Sequence, residues 1–112
     1  MNRAEEVAKM FVAEAIKYGE ARKSGDSRLM DKQSEMISKI VAEIRVLGEY
    51  EINILNEFLD HENEFVRLHT ALNLLKTETN RAIEVLTNLT QVRGPVAVEA
   101  RIILSEWKKG NL

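Results

Sequence analysis

The run Asn63-Glu64-Phe65-Val66-Arg67-Leu68-His69-Thr70-Ala71-Leu72-Asn73-Leu74-Leu75 decides the fold class of this 112-residue chain. Phe65, Leu68, Leu72 and Leu75 make one row at helical spacing, and Val66, Ala71 and Leu74 widen it beyond a single stripe. A surface helix shows one apolar stripe; a helix that is apolar on two sides is packed between neighbours. Asn63 stands where an N-cap is wanted, and Glu64 falls in the first turn, where an acid meets the positive end of the helix dipole.

The same periodicity continues on both sides of this run. Toward the N-terminus, Ile54, Leu55, Phe58 and Leu59 predict a short helix beginning near Glu49. Before it, Met36, Ile37, Ile40, Val41, Ile44 and Leu47 predict a longer helix ended by Gly48. Ser24-Gly25-Asp26-Ser27 supplies a glycine suited to a helix end and then an N-cap, which places a turn there. The first helix carries Val7, Phe11, Ala15 and Tyr18, extended by Ala4 and Ala8. Toward the C-terminus, Thr77 or Thr79 is expected to cap a helix bearing Ala82, Val85, Leu86 and Leu89. Gly94-Pro95 opens the last helix, since proline at the first helical position lacks an N–H that would be unpaired anyway. Val96, Ala100, Ile103, Leu104 and Trp107 are its expected buried face, and Gly110 its stop. No segment sustains the period-two alternation of a strand. The expected fold is all-α, about six helices stacked as antiparallel hairpins, in one domain over residues 1–112.

Composition narrows the function classes. With 45% hydrophobic and 30% charged residues the chain has the means to fold, and no apolar run approaches the ~20 residues of a membrane span. Five per cent aromatics and a single proline argue against a β-sandwich. The absence of cysteine removes disulfides, thiolate catalysis and zinc–thiolate sites together. Met1-Asn2-Arg3-Ala4-Glu5-Glu6 has acids where a signal peptide has its apolar stretch, so a cytoplasmic location is expected. A net charge of −2 is wrong for a dedicated nucleic-acid binder.

A weak internal repeat runs through the second half. Ala71, Leu74 and Leu75 recur 29 residues on as Ala100, Ile103 and Leu104; Ile52, Ile54, Leu55 and Phe58 recur 31 residues on as Ile83, Val85, Leu86 and Leu89. Units of this period stack into α-solenoids, each burying its face on the next. The competing explanation is that two amphipathic helices share such spacings by chance.

The run Leu59-Asp60-His61-Glu62-Asn63-Glu64-Phe65-Val66-Arg67, followed by Ala71 and Leu74-Leu75, resembles the turn and second helix of a HEAT repeat. The chain as a whole, through Gly25-Asp26 to the ending Glu106-Trp107-Lys108-Lys109-Gly110, is similar to a family of small bacterial HEAT-like proteins catalogued as a domain of unknown function. Two positions depart from the HEAT pattern: Glu64 stands where a proline is usual, and the last helix has no Val-Arg pair. The resemblance implies a short HEAT-like α-solenoid and a binding scaffold, of the kind suspected to be immunity proteins encoded beside toxin genes. It also implies that Arg67, in the position of the HEAT arginine, bonds back to an acid of the turn, with Asp60 the candidate.

Signatures of catalysis are missing. His61 and His69 lie about 80° apart on an ideal helix, with a helix break expected between them, and the Glu-x-x-His spacing of di-iron bundles does not occur. Neither a nucleophile elbow nor a phosphate loop is present, and the five glycines sit at expected turns or helix ends except Gly19. The expectation is therefore a non-enzyme with no cofactor and no metal. Trp107, in register with Ile103 and Leu104, either closes the open end of the last hairpin or serves as an exposed anchor for a partner.

The charge layout is the informative anomaly. Residues 49–64 hold six acids (Glu49, Glu51, Glu57, Asp60, Glu62 and Glu64) and no lysine or arginine, so they carry −6 while the other 96 residues carry +4. Helix N-termini account in part for Glu49, Glu51 and Glu64, but the C-terminus of the third helix repels Glu57 and Asp60. Either Asp60 pairs with Arg67 and the rest are solvated, or the segment is a surface for a basic partner. On the second reading the partner-binding residues are Glu49, Tyr50, Glu51, Glu57, Asp60, Glu62 and Glu64, with Tyr50 as apolar anchor. The partner would be a protein with a basic surface, such as a toxin domain that attacks nucleic acid. Nucleic acid and membrane are not expected as partners, and the chain is expected to be a monomer or weak dimer. The alternative is a structural or adaptor scaffold with no inhibitory role.

Overall fold

The computed structural model describes residues 3–48 and 53–112. Among the described residues the chain is all-α: five α-helices and one 3₁₀ helix, with no strand. It divides into two compact units, Met1–Glu57 and Phe58–Leu112.

In the first unit, α1 (Arg3–Ser24) and α2 (Ser27–Leu47) pack against each other as a hairpin. The buried residues of α1 include Val7, Phe11, Ala15 and Tyr18, as the spacing predicts, and those of α2 include Ile37, Ile40, Val41 and Ile44. Gly19 lies inside α1 and is buried. The link is two residues long because both ends are closed locally. Gly25 adopts φ +76°, and its N–H donates to the Arg22 carbonyl at 3.3 Å while the Asp26 N–H donates to that of Ala21 at 2.9 Å. This is the Schellman pattern, in which a left-handed glycine lets the chain turn back and pair the last carbonyls. The Asp26 side chain then accepts from the Leu29 N–H at 3.1 Å and caps α2. At the far end of the hairpin, the Arg3 guanidinium donates to Glu43 at 2.7 Å and to Glu6 at 3.3 Å; these bonds, Glu43 foremost, raise its pKa. Gly48 at φ +123° ends α2 as expected.

The third element is a 3₁₀ helix, Asn53–Asp60, where the apolar spacing predicts an α-helix. Eight residues are too few to repay α-helix nucleation, and two of them are asparagine, whose short polar side chain competes for backbone hydrogen bonds. Leu55 and Leu59 are buried on it. The division between the units falls inside this helix, between Glu57 and Phe58.

The second unit contains α3 (Glu64–Leu74), α4 (Thr79–Leu89) and α5 (Pro95–Lys108). Each packs on the next, and α3 also touches α5. Phe65, Val66, Leu68, His69, Thr70, Ala71 and Leu74 are all buried, so α3 is enclosed nearly all round, as its doubled apolar face predicts. The Thr70 hydroxyl donates to the Val66 carbonyl at 2.6 Å, so its burial leaves the donor satisfied. Leu72 departs from expectation: it is half-buried, whereas Leu68, Ala71 and Leu75 are buried.

Two further expectations are corrected. Neither Thr77 nor Thr79 caps α4; their hydroxyls donate backward, to the carbonyls of Leu74 at 3.5 Å and Leu75 at 2.6 Å, and the cap position is Glu78, which makes no side-chain cap bond. A threonine between two helices can serve the free carbonyls of the first or the free N–H groups of the second, and here the first helix takes it. In α5 the buried residues are Val96, Ala97 and Ala100, whereas Ile103, Leu104 and Trp107 are half-buried. At 14 residues α5 is longer than the 11-residue α3 and α4 by about 4.5 Å. Its ends are as expected: Gly94 and Pro95 open it, and the Gly110 and Asn111 N–H groups close it on the carbonyls of Trp107 and Glu106 at 3.1 and 2.9 Å. In repeat terms, Ala71 and Ala100 are both fully buried, but the 31-residue offset relates a 3₁₀ helix to an α-helix.

Candidate functional site

The sequence anomaly centres on the turn between the 3₁₀ helix and α3. That turn is closely tied. The Asn63 side-chain oxygen accepts from the N–H groups of Phe65 at 2.9 Å and Val66 at 3.1 Å, satisfying two of the free donors of α3. The Asn63 N–H donates to His61 Nδ1 at 2.9 Å, which leaves the proton of the neutral ring on Nε2. The His61 ring meets Phe58 edge to face, with centroids 6.2 Å apart. From α3, Arg67 Nη1 donates to the carbonyls of His61 at 2.7 Å and Glu62 at 3.0 Å. One guanidinium therefore pairs two carbonyls that would otherwise be unmatched at the end of the 3₁₀ helix.

The resemblance implies a bond from Arg67 to Asp60, but Arg67 donates to the carbonyls of His61 and Glu62. Asp60 pairs instead with Arg81 on α4, Nη2 to Oδ2 at 2.7 Å. This bond accounts for an acid at a helix end that disfavours it. The Asp60 side chain is 76% exposed and Arg81 47%, so the pair contributes about 0–1 kcal/mol and fixes position more than stability.

Of the other expected site residues, Glu49, Tyr50 and Glu51 lie outside the described residues. Glu57 is exposed on the 3₁₀ helix and belongs to the first unit. Glu62 is exposed in the turn, and Glu64 is half-buried in the first turn of α3. Glu57 and Glu62 form no ion pair among the described residues.

Beside the turn, an open cleft of about 270 Å³ lies within the second unit, lined by Leu59 and Asp60, by Arg67 of α3, and by residues of α4. Arg81, Glu84, Val85 and Asn88 reach it from α4 because residues three, four and seven apart share a helix face. Leu59 is buried and Val85 half-buried, giving an apolar strip between polar walls. Sequence reading singled out Asp60 and Arg67 but missed Arg81, Glu84 and Asn88. Their spacing along α4 was legible; that this face lies opposite Asp60, 21 residues earlier than Arg81, was not.

Among the described residues no group of three or more histidine or carboxylate side chains could hold a metal ion, and no helix is long and apolar enough to cross a membrane. His69 is buried in α3, and burial lowers its pKa to about 4, so it is neutral at neutral pH. No family model, no curated protein and no solved structure matches the chain.

Proposed function

We propose that this chain is a non-enzymatic protein-binding module that captures a partner with a basic surface, its biological form being an immunity protein that neutralises a cognate bacterial toxin in the cytoplasm. The observation that carries this reading is the exposed pair Glu57 and Glu62, without an ion pair among the described residues, in a segment that holds six acids and no base. Exposed acids favour rapid encounter with a basic surface and discriminate among partners, and Glu62 stands on a tied turn of the second unit. Membership of the small bacterial HEAT-like family belongs to the same proposal, with the helices of the second unit as a short stack. The adaptor reading is favoured by one observation: Asp60 is already neutralised within the chain by Arg81.

A co-expression experiment separates the two readings. The protein encoded by the adjacent reading frame is induced alone, with this chain, or with its Glu57→Lys/Glu62→Lys variant. An inhibitor restores growth and the variant restores less; a scaffold forms a complex without restoring growth.

A further inference from the structure

The turn before α3 holds a hydrogen bond that exists in only one protonation state of a side chain. His61 Nδ1 accepts the Asn63 N–H at 2.9 Å, and these two residues flank Glu62, so the bond closes a small ring over that acid. Nδ1 is attached to Cγ, as the side-chain oxygen of asparagine is, and in an Asx-turn that oxygen accepts from the N–H two residues on. His61 therefore stands in for an asparagine here, with one difference. An asparagine oxygen accepts at any pH, whereas Nδ1 accepts only while it carries no proton. Histidine is the side chain whose charge ordinarily changes between pH 5 and 8. The His61 ring is half-buried, so protons reach it, and Phe58 meets it edge to face. The charged groups around it come from several elements. Arg67 of α3 donates to the His61 carbonyl itself at 2.7 Å and opposes a charged ring. Asp60, at the end of the 3₁₀ helix, favours one but is paired with Arg81 of α4; Glu62 and Glu64 follow His61 in the sequence.

We infer that His61 is a proton-operated latch on the turn that carries Glu62. With the ring neutral, Nδ1 holds the Asn63 N–H and the backbone on both sides of Glu62 is tied. With the ring protonated, Nδ1 presents a hydrogen to that N–H, two donors face each other, and the bond is lost. The same proton places a positive charge beside Glu62. Two other ties are indifferent to the ring: the Asn63 side chain on the N–H groups of Phe65 and Val66, and Arg67 on the carbonyls of His61 and Glu62. The release is therefore local to the turn, and α3 keeps its cap. The consequence for function rests on the protein-binding reading above: acidification loosens and partly neutralises the surface offered to a basic partner.

The test uses the whole chain and needs no partner. In isotope-labelled protein, NMR reads the protonation of the two His61 ring nitrogens and the hydrogen-exchange protection of the Asn63 amide, at about pH 7.5 and about pH 5. The other histidine does not interfere, because burial lowers the pKa of His69 to about 4. His61→Asn keeps an acceptor on Cγ without titrating, so it corrects for any general loss of stability at the lower pH. The expected result is a bare Nδ1 with the proton on Nε2 at the higher pH. On acidification the wild type should lose Asn63 protection about fivefold or more beyond the loss in His61→Asn, and His61→Ala should lack that protection at both pH values. A proton on Nδ1 at the higher pH, an equal loss in wild type and His61→Asn, or full protection in His61→Ala would each overturn the latch. A latch that fails while association still depends on Glu57 and Glu62 is struck out and leaves the acidic surface standing. A latch that titrates while association ignores those two acids is upheld, and the surface is struck out.

Discussion

In the α1–α2 hairpin the buried positions repeat along two helices of 22 and 21 residues, and one two-residue link closes both ends. In residues 58–112 two of the three α-helices have only 11 residues, and much of the hydrogen bonding that shapes the unit occurs at their ends. Every α-helix leaves about four N–H and four C=O groups without internal partners, whatever its length. For α1 these are about a fifth of the backbone polar groups; for α3 and α4 they are more than a third. Long helices are therefore governed by their stripes, and short ones by whatever Asn63, Arg67, Thr77 and Thr79 do at the termini. That difference explains why the hairpin follows the sequence closely, whereas the candidate site, which is made of helix ends, does not.

The largest expected effects test the stripes themselves. Phe11→Ala in the hairpin and Phe65→Ala in α3 remove fully buried rings and should each cost about 3–5 kcal/mol in urea denaturation. Leu72→Ala and Ile103→Ala, at half-buried positions, should cost about 1 kcal/mol or less, since little cavity is left behind. A Leu72 effect equal to that of Phe65 would put Leu72 back in the core row.

The next effect belongs to the second unit alone. His69 has a pKa of about 4 when folded against 6.5 as an ordinary histidine. Between those values the unfolded chain binds a proton that the folded chain excludes, so stability is complete above about pH 6.5 and falls as pH drops toward 4. At about 1.4 kcal/mol per pH unit the loss approaches ~3 kcal/mol. Denaturation at pH 7 and pH 4.5, compared with His69→Gln, should show a smaller pH-dependent loss in the variant. Parallel curves would contradict the assignment.

Helix ends come next in size. Asn63→Ala should cost about 1 kcal/mol because two α3 donors lose their acceptor, and Asp26→Ala a similar amount at α2. Glu78→Ala should cost almost nothing, since Glu78 makes no cap bond to α4. Arg81→Ala comes last. Its ion pair with Asp60 is solvent-exposed, and a change within about 1 kcal/mol is expected by the same denaturation measurement.

Much of the fold was legible because period-3.6 stripes and glycine–aspartate, glycine–proline and asparagine signals are local. Gly25-Asp26, Asn63 and Gly94-Pro95 act where their chemistry says they should. Residues 53–60 are legible as a short helix but not as a 3₁₀ one, because apolar spacing at four and three suits a short α-helix and a 3₁₀ helix alike. The threonines before α4 were misread because a hydroxyl there can face either helix. At the site, the acidic run was visible as composition, but the Asp60–Arg81 pair joins residues 21 apart and depends on how α4 lies against the turn. No local pattern carries that information.

Association kinetics show whether Glu57 and Glu62 draw in a basic partner, as proposed. With the adjacent reading frame's product as partner, stopped-flow mixing compares the wild type with Glu57→Lys/Glu62→Lys at low and high salt. Association of the variant should be slower by about tenfold or more at low salt, with the gap closing as salt rises, because exposed charges are screened within about 8–10 Å at ordinary ionic strength. An association rate unchanged at low salt would contradict it, leaving Glu57 and Glu62 as solvated acids and placing the binding surface elsewhere.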